Sequence, residues 1–377
     1  MRGRTVLHLA QSSEGGVATV VTDLVGGQRG SGDRVVVACA PGSRLAASAA
    51  RAGAEVMQWR AVSAPGPATA AEVIGVRRIV AAVRPDLVHL HSSKAGLAGR
   101  LALRGRLPTV FQPHAWSFFA AEPGRPLYWA SVRWERAASR WAHRLVCVSE
   151  AERTDGEAAG VRARYSVVPN GVDLAHFVAA GDAERSAARA RLGVEPSAPL
   201  AVCVGRLHRQ KGQDLLLTAW PGVGRRVPRA RLALVGDGPD RASLQERAPA
   251  AVVFAGDVAD PRDWYLAADL VVLPSRWEGM ALAPLEAMAC SCPVIVSDVP
   301  GARESLPPGH MRTGLVPPGD TRALTDAVAT LLADREGCRA LGKQARAHIR
   351  EQHGVQRVVE RLYAVYEAAD REWSAGR

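Results

Sequence analysis

Short Val/Leu-rich runs recur along the chain at residues 5–9, 33–38, 87–91, 109–111, 144–148 and 165–168. Each leads through a turn into a stretch rich in Ala, Arg and Glu with helical spacing. Runs that are apolar on both faces, alternating with helices, are the signature of a parallel sheet covered on both sides. The pattern restarts later, with strands expected at 200–204, 231–235, 251–254, 270–273 and 294–296. The turn-forming cluster Pro169-Asn170-Gly171-Val172-Asp173 falls between the two series. The reading is therefore two α/β sheets: one domain over residues 1–172, a second over 173–354, and a final amphipathic helix over 355–369 within a tail of 355–377. Further helices are expected at 18–25, 126–144, 182–192 and 213–220.

Composition agrees with this picture. The chain has 377 residues, 47% of them apolar but only 5% aromatic, so small aliphatic side chains carry the packing of two α/β cores. Net charge is +11, and the excess sits in the first 172 residues, where 22 Lys/Arg face 12 Asp/Glu; in the remainder 26 face 25. A basic half attracts anionic partners such as lipid phosphates or a membrane surface. No run reads as a membrane span, and the chain is expected in the cytoplasm. Four cysteines are scattered singly and Cys290/Cys292 form a lone C-x-C, which lacks zinc-site spacing; buried reduced thiols are expected, and no metal.

The chemistry-bearing segments follow the strands. Gly15 and Gly16 lie between the first strand and a helix, where free N–H groups suit a phosphate. Gly205-Arg206-Leu207 and Lys211-Gly212 follow the first strand of the second domain; two cations on one loop suit a diphosphate. Gly236-Asp237-Gly238 and the run Phe254-Ala255-Gly256-Asp257 are Gly-rich turns of the kind that hold a base or ribose. The segment 273–293 places Glu278 in a loop and Glu286 in the first turn of a helix that starts near Ala283 or Pro284. The N–H groups of Met280, Ala281 and Leu282 lie between them and point toward an anion.

Taken in order, these segments, with Asp86-Leu87-Val88-His89-Leu90-His91, Pro113-His114, Val148-Ser149 and Val168-Pro169-Asn170-Gly171, resemble the family-4 retaining glycosyltransferases of GT-B fold over essentially the whole chain. That resemblance implies two Rossmann-like domains facing each other across a cleft, with the tail helix crossing back to the first domain. It implies that Arg206 and Lys211 hold the donor diphosphate, that Glu286 binds the ribose, and that Glu278 contacts the donor sugar. By the same resemblance His114 sits near the reacting carbon, and Gly15 and Gly16 admit phosphate and acceptor. Attack from the front face, with the leaving phosphate oxygen taking the acceptor proton, is the mechanism implied. The absence of an Asp-x-Asp fits chemistry without metal or other cofactor. Where the family commonly has Glu-Gly-Phe-Pro or Glu-Gly-Phe-Gly, this chain has Glu278-Gly279-Met280-Ala281, which changes the wall of the sugar pocket.

The expected activity is transfer of a hexose-type sugar from a nucleotide diphosphate, UDP ranked before GDP, to a glycan lipid, polysaccharide intermediate or small natural product. Two other classes compete: a sugar-nucleotide epimerase on the same fold, and a catalytically silent binder of anionic glycan. No nucleic-acid motif is present. Several residues have two readings. His89 and His91 alternate onto one strand face, as a metal pair or as hydrogen-bonded structural histidines. Lys94 opens a helix, as an acceptor-phosphate ligand or as part of its capping. Along 126–144, Arg133, Arg136, Arg140 and Arg144 form a stripe with Trp129, while Trp134 and Trp141 share an adjoining face. This helix reads as an acceptor-side contact at the inner face of a membrane, or as core tryptophans beside solvated arginines.

Overall fold

A computed structural model describes residues 3–12, 14–62, 66–121, 124–179 and 181–376. The chain divides into two compact units, Met1–Gly171 with Val355–Arg377, and Val172–Gly354. The first runs β1 (Thr5–Ala10), α1 (Gly16–Gly30), β2 (Arg34–Cys39), α2 (Arg44–Arg51), β3 (Glu55–Gln58), α3 (Thr69–Val83), β4 (Leu87–His91), α4 (Ser92–Leu103), β5 (Thr109–Gln112), α5 (Pro126–Ala138), β6 (Arg144–Cys147), α6 (Glu150–Ala158) and β7 (Tyr165–Val167). Its seven parallel strands are ordered β3-β2-β1-β4-β5-β6-β7, so the strand order reverses between β1 and β4. The sheet is buried on both faces, which is why its strands read as nearly continuous apolar runs. Leu7 and Leu9 pack with Val88, Leu90 and Phe111, while Val35, Val37 and Ala10 pack under Val21 and Val25 of α1.

The second unit comprises α7 (Asp182–Arg191), β8 (Leu200–Val204), α8 (Gln213–Arg226), β9 (Arg231–Val235), α9 (Arg241–Arg247), β10 (Val252–Gly256), α10 (Arg262–Ala267), β11 (Leu270–Leu273), α11 (Leu282–Ala289), β12 (Val294–Ser297), α12 (Ala302–Ser305), α13 (Met311–Gly314), β13 (Leu315–Val316), α14 (Thr321–Ala333) and α15 (Arg335–Gln352). Its parallel sheet has the order β10-β9-β8-β11-β12-β13. The last helix, α16 (Val355–Ala375), belongs to the first unit and packs on α1, β5 and β6, burying Val358, Val359, Leu362, Val365 and Tyr366.

Two strands lie outside the sequence reading. β3 is an edge strand with no fully buried side chain, and β13 is two residues long, so neither shows a Val/Leu run. α8 continues through Pro221 to Arg226 because Trp220 and Val223 are buried on its inner face. The helix expected over 126–144 ends at Ala138. A 3₁₀ turn, Ser139–Trp141, follows, and Arg144 lies on β6 paired with Glu372. All six cysteines are buried and free. Among the described residues no helix is long and apolar enough to cross a membrane.

Candidate active site

In the second unit, the loops after β8 and β11 are stapled together. Arg276 N–H donates to the Gln210 carbonyl (2.7 Å), and the Gln210 amide donates to the Trp277 carbonyl (3.0 Å). The Arg276 guanidinium grips Asp214 of α8 with two bonds of 2.8 and 2.7 Å, which holds the Asp214 carboxyl below its ordinary range. Gly212 adopts φ 69° between the 3₁₀ turn Arg209–Lys211 and α8, and a Cβ there would overlap the Pro274 carbonyl. Gly236, at φ 135°, lets the turn after β9 touch the Gly205 carbonyl in the same way. These approaches carry Glu278 to Lys211: Nζ to Oε1 is 2.6 Å, with both side chains mostly buried.

Arg206 lies beside this pair on the same loop, exposed and, among the described residues, without an ion-pair partner. The Lys211 stem runs alongside Gly205, 3.6 Å from where a Cβ there would sit. Ser275, Glu278, Ala281, Pro284, Ser297 and Ser305 bound a small pocket at the C-terminal ends of β11 and β12. The Ser275 hydroxyl is buried there without a hydrogen-bond partner, a group poised to pair with a ligand. Met280 and Leu282 are buried, and Ala281 caps α11 with extended backbone and no capping side chain, leaving the helix's first N–H groups for a ligand. Phe254 is half-buried on the edge strand β10, two strands from β8.

α11 begins at Leu282, so Glu286 falls in its second turn rather than the first. Glu286 is 9% exposed, and its carboxylate accepts a 2.6 Å bond from the Tyr265 hydroxyl of α10. Burial pushes the Glu286 carboxyl up to about 7, with the Tyr265 bond working against that shift. Tyr265 was not expected from the sequence, because it lies in a short helix with no motif around it.

At the switch point of the first unit, β1 and β4 pair His8 with His89, and Ala10 with His91. His8, His89 and His91 are wholly buried and bring one ring nitrogen each within 4.8 Å of one another. His8 Nδ1 lies 2.9 Å from His91 Nε2, His8 Nε2 2.8 Å from Gln28 Oε1, and His91 Nδ1 3.1 Å from His114 Nε2. Gln28 Nε2 donates to the Tyr366 hydroxyl (3.1 Å), which lies 2.9 Å from His89 Nδ1. Burial holds His8 down to about 4 and His114 to about 3, although His114 keeps some solvent-facing surface. It holds His89 and His91 well below the ordinary range.

His114 and Ala115 both have positive φ, 59° and 125°, strain worth roughly 1–3 kcal/mol each. Glu152 offsets it. One carboxylate oxygen accepts from Ala115 N and the other from Val148 N, both at 2.7 Å. The Trp116 ring N–H donates to the Glu152 carbonyl (2.6 Å). Ser149 caps α6 by accepting from Glu152 N (3.0 Å); this Ser-x-x-Glu spacing is a capping signal that lay outside the sequence reading, and the reach of Glu152 to the His114 turn depends on the fold.

The remaining first-unit residues separate. Gly15 is the N-cap of α1 at φ 69°, and Gly15 and Gly16 are exposed at a helix N-terminus that has no side-chain cap. Lys94 is buried in an ion pair with Glu72 (2.8 Å) and hydrogen-bonds Thr69, which places its ammonium inside the core. Trp129 is 52% exposed and Arg133 is exposed, but the arginine stripe is broken: Arg136 bonds the Ala159 carbonyl and Arg144 is not on the helix. Trp134 lies 6.1 Å from Trp141 and against buried Arg100, which pairs with Glu135.

The model of Glycosyltransferase Family 4 matches residues 14–176, and that of Glycosyl transferases group 1 matches 198–334. The chain is 32% identical, over 84% of its length and 85% of the relative's, to the GDP-mannose-dependent monoacylated alpha-(1-6)-phosphatidylinositol monomannoside mannosyltransferase of Corynebacterium glutamicum. It is 32% identical to a GDP-mannose-dependent alpha-(1-6)-phosphatidylinositol monomannoside mannosyltransferase of Mycobacterium tuberculosis, over 90% of this chain and 91% of that one. The lipopolysaccharide core mannosyltransferase LpsB of Rhizobium meliloti matches at 34% over 56% of this chain, which spans 65% of that relative's length. Among solved structures, Anabaena HepE in complex with UDP and glucose shares the fold, with TM-score 0.84 at 23% identity over 97% of this chain and 99% of that one. With two Rossmann-like units and these relatives, the chain belongs to glycosyltransferase family 4 and is a glycosyltransferase of GT-B fold.

Proposed function

We propose that the enzyme transfers a hexose, with retention and without metal, from a nucleoside diphosphate to a hydroxyl of a glycolipid or inositol-bearing acceptor. The observation that carries the donor assignment is the Lys211–Glu278 pair with the exposed Arg206 on the same loop, on loops stapled by Arg276. Lys211 and Arg206 hold the diphosphate and stabilise the charge that develops on it as the sugar–phosphate bond breaks. Gly205 gives the backbone access to it. Glu278, aided by the Ser275 hydroxyl and the N–H groups of Met280, Ala281 and Leu282, contacts the sugar and phosphate. Glu286 accepts the ribose hydroxyls, and Phe254 lies toward the base. In the first unit, His114 acts at the donor sugar and the open α1 terminus at Gly15 and Gly16 takes phosphate. Trp129 and Arg133 supply an exposed aromatic and cation for an acceptor at an anionic membrane surface.

The relatives with the fuller coverage are named for GDP-mannose, which favours GDP over the UDP ranked first from sequence. The test incubates the enzyme with GDP-mannose or UDP-glucose, a phosphatidylinositol mannoside acceptor and EDTA. An α-linked mannosyl product formed from GDP-mannose in EDTA is the expected result. A β-linked product, or loss of transfer in EDTA, overturns the mechanism. Rearranged sugar nucleotide without acceptor would favour the epimerase reading.

A further inference from the structure

A neutral imidazole has one donor and one acceptor nitrogen, so a hydrogen-bonded row of histidines must point one way along its length. Here the row is anchored at one end by an amide. Gln28 Oε1 is an acceptor and lies 2.8 Å from His8 Nε2, which therefore carries the proton. That leaves His8 Nδ1 as acceptor for the Nε2–H of His91 at 2.9 Å. His91 Nδ1 is then the acceptor for the Nε2–H of His114 at 3.1 Å. The Gln28 amide N–H donates to Tyr366 of α16, whose hydroxyl donates in turn to His89 Nδ1. His89 thereby carries its proton on Nε2, which makes no hydrogen bond among the described residues. Every step has the same polarity. Burial keeps the four rings neutral, so none breaks the row by donating from both nitrogens.

We infer that Gln28, His8 and His91 are positioning residues that fix His114 as its Nε2–H tautomer, with Nδ1 bare and available to accept a hydrogen bond from the sugar. The inference rests on His114 acting at the donor sugar, as proposed above. The strained turn held by Glu152 sets where the His114 backbone goes, and the row sets which way its ring faces and which nitrogen holds the proton. Tyr366 extends this control to α16, the last helix of the chain.

The test uses the full chain labelled with ¹⁵N in its histidine rings. The tautomer of His114 is read from one- and two-bond couplings, the His114 signal being the one absent from His114→Gln. Wild type should show His114 protonated on Nε2. Gln28→Met, which removes the anchoring acceptor, should mix the tautomers and lower kcat on the order of ten-fold, with KM for the donor within about two-fold. His91→Asn places a carbonyl near the Nδ1 position and should retain activity that His91→Phe loses. A His114 protonated on Nδ1 in wild type overturns the inference, whether or not any variant folds. So does wild-type behaviour of Gln28→Met in both readouts. Stoichiometric zinc in the purified chain also overturns it, because a metal on His8, His89 and His91 needs nitrogens that the row uses. His114→Ala separates the two claims: wild-type transfer in that variant overturns the placement of His114 at the sugar, whereas a wrong tautomer overturns the row alone.

Discussion

The two units place polar groups at the C-terminal ends of parallel strands by opposite means. In the first, four histidines are kept neutral, paired with one another and with amides and a phenol, and no formal charge is part of the row. In the second, the site is ionic: Lys211 on Glu278, Arg276 on Asp214, and Arg206 without an ion-pair partner among the described residues. A diphosphate brings charge that an ionic site can meet. A sugar carbon acquiring positive charge is better served by uncharged groups of fixed orientation, since a protonated histidine would repel it. The difference is one of solvation. His8, His89 and His91 are wholly buried, whereas Lys211 keeps 21% of its side chain exposed.

The largest effect that sharpens this contrast is at Lys211. Lys211→Ala removes the proposed phosphate ligand and leaves Glu278 without its cation, and transfer should fall about 10²–10³-fold. Steady-state kcat/KM measures it; a loss under ten-fold would break the assignment of diphosphate binding to the second unit. Next is Glu152→Ala. It strips acceptors from Ala115 N and Val148 N and releases the strained turn, at a cost of about 3 kcal/mol. The urea midpoint of the first unit should drop while nucleotide binding is unchanged.

Acid should separate the units. His8 is held at about 4 in the folded chain against an ordinary 6.5, so the unfolded chain takes up its proton first. Stability from His8 is present above pH 6.5 and is lost as pH falls toward 4, by about 1.4 kcal/mol per pH unit. Glu286 runs the other way. Its carboxyl is raised to about 7 from an ordinary 4.5, so the cost of ionising it is absent below 4.5 and is felt as pH rises through 7. Hydrogen exchange at pH 7 and 5 should show faster opening of β1 and β4 in acid without matching loss at α11. Equal loss in both units would contradict the contrast. The smallest effect is Tyr265→Phe. It removes the bond that favours ionised Glu286, and should move the pH midpoint of nucleotide binding upward with about 1 kcal/mol of lost affinity near neutrality.

Much of this was legible in the sequence, for identifiable reasons. The strands buried on both faces announced themselves as apolar runs, and the cations and glutamates of the second unit fell on loops directly after strands. What was hidden depends on register and on partners far along the chain. His8 sits in a run read only as a strand, and its role appears when β1 pairs with β4 and α16 brings Tyr366 to Gln28. Lys94 looked like an open cation at a helix start, but Glu72 of α3 neutralises it in the core. Glu286 lay correctly in a helix, yet one or two residues deeper than expected, because α11 starts at Leu282.

The most direct test of the central claim is nucleotide binding followed by calorimetry, with GDP, UDP, ADP and dTDP, on wild type, Lys211→Ala, Glu286→Ala and His114→Ala. The account predicts selective binding of one nucleotide, GDP ahead of UDP, unchanged by EDTA. It predicts that binding is lost in both second-unit variants and kept in His114→Ala, which still fails to transfer sugar. Undiminished binding in Lys211→Ala and Glu286→Ala, or binding lost only in His114→Ala, would contradict it.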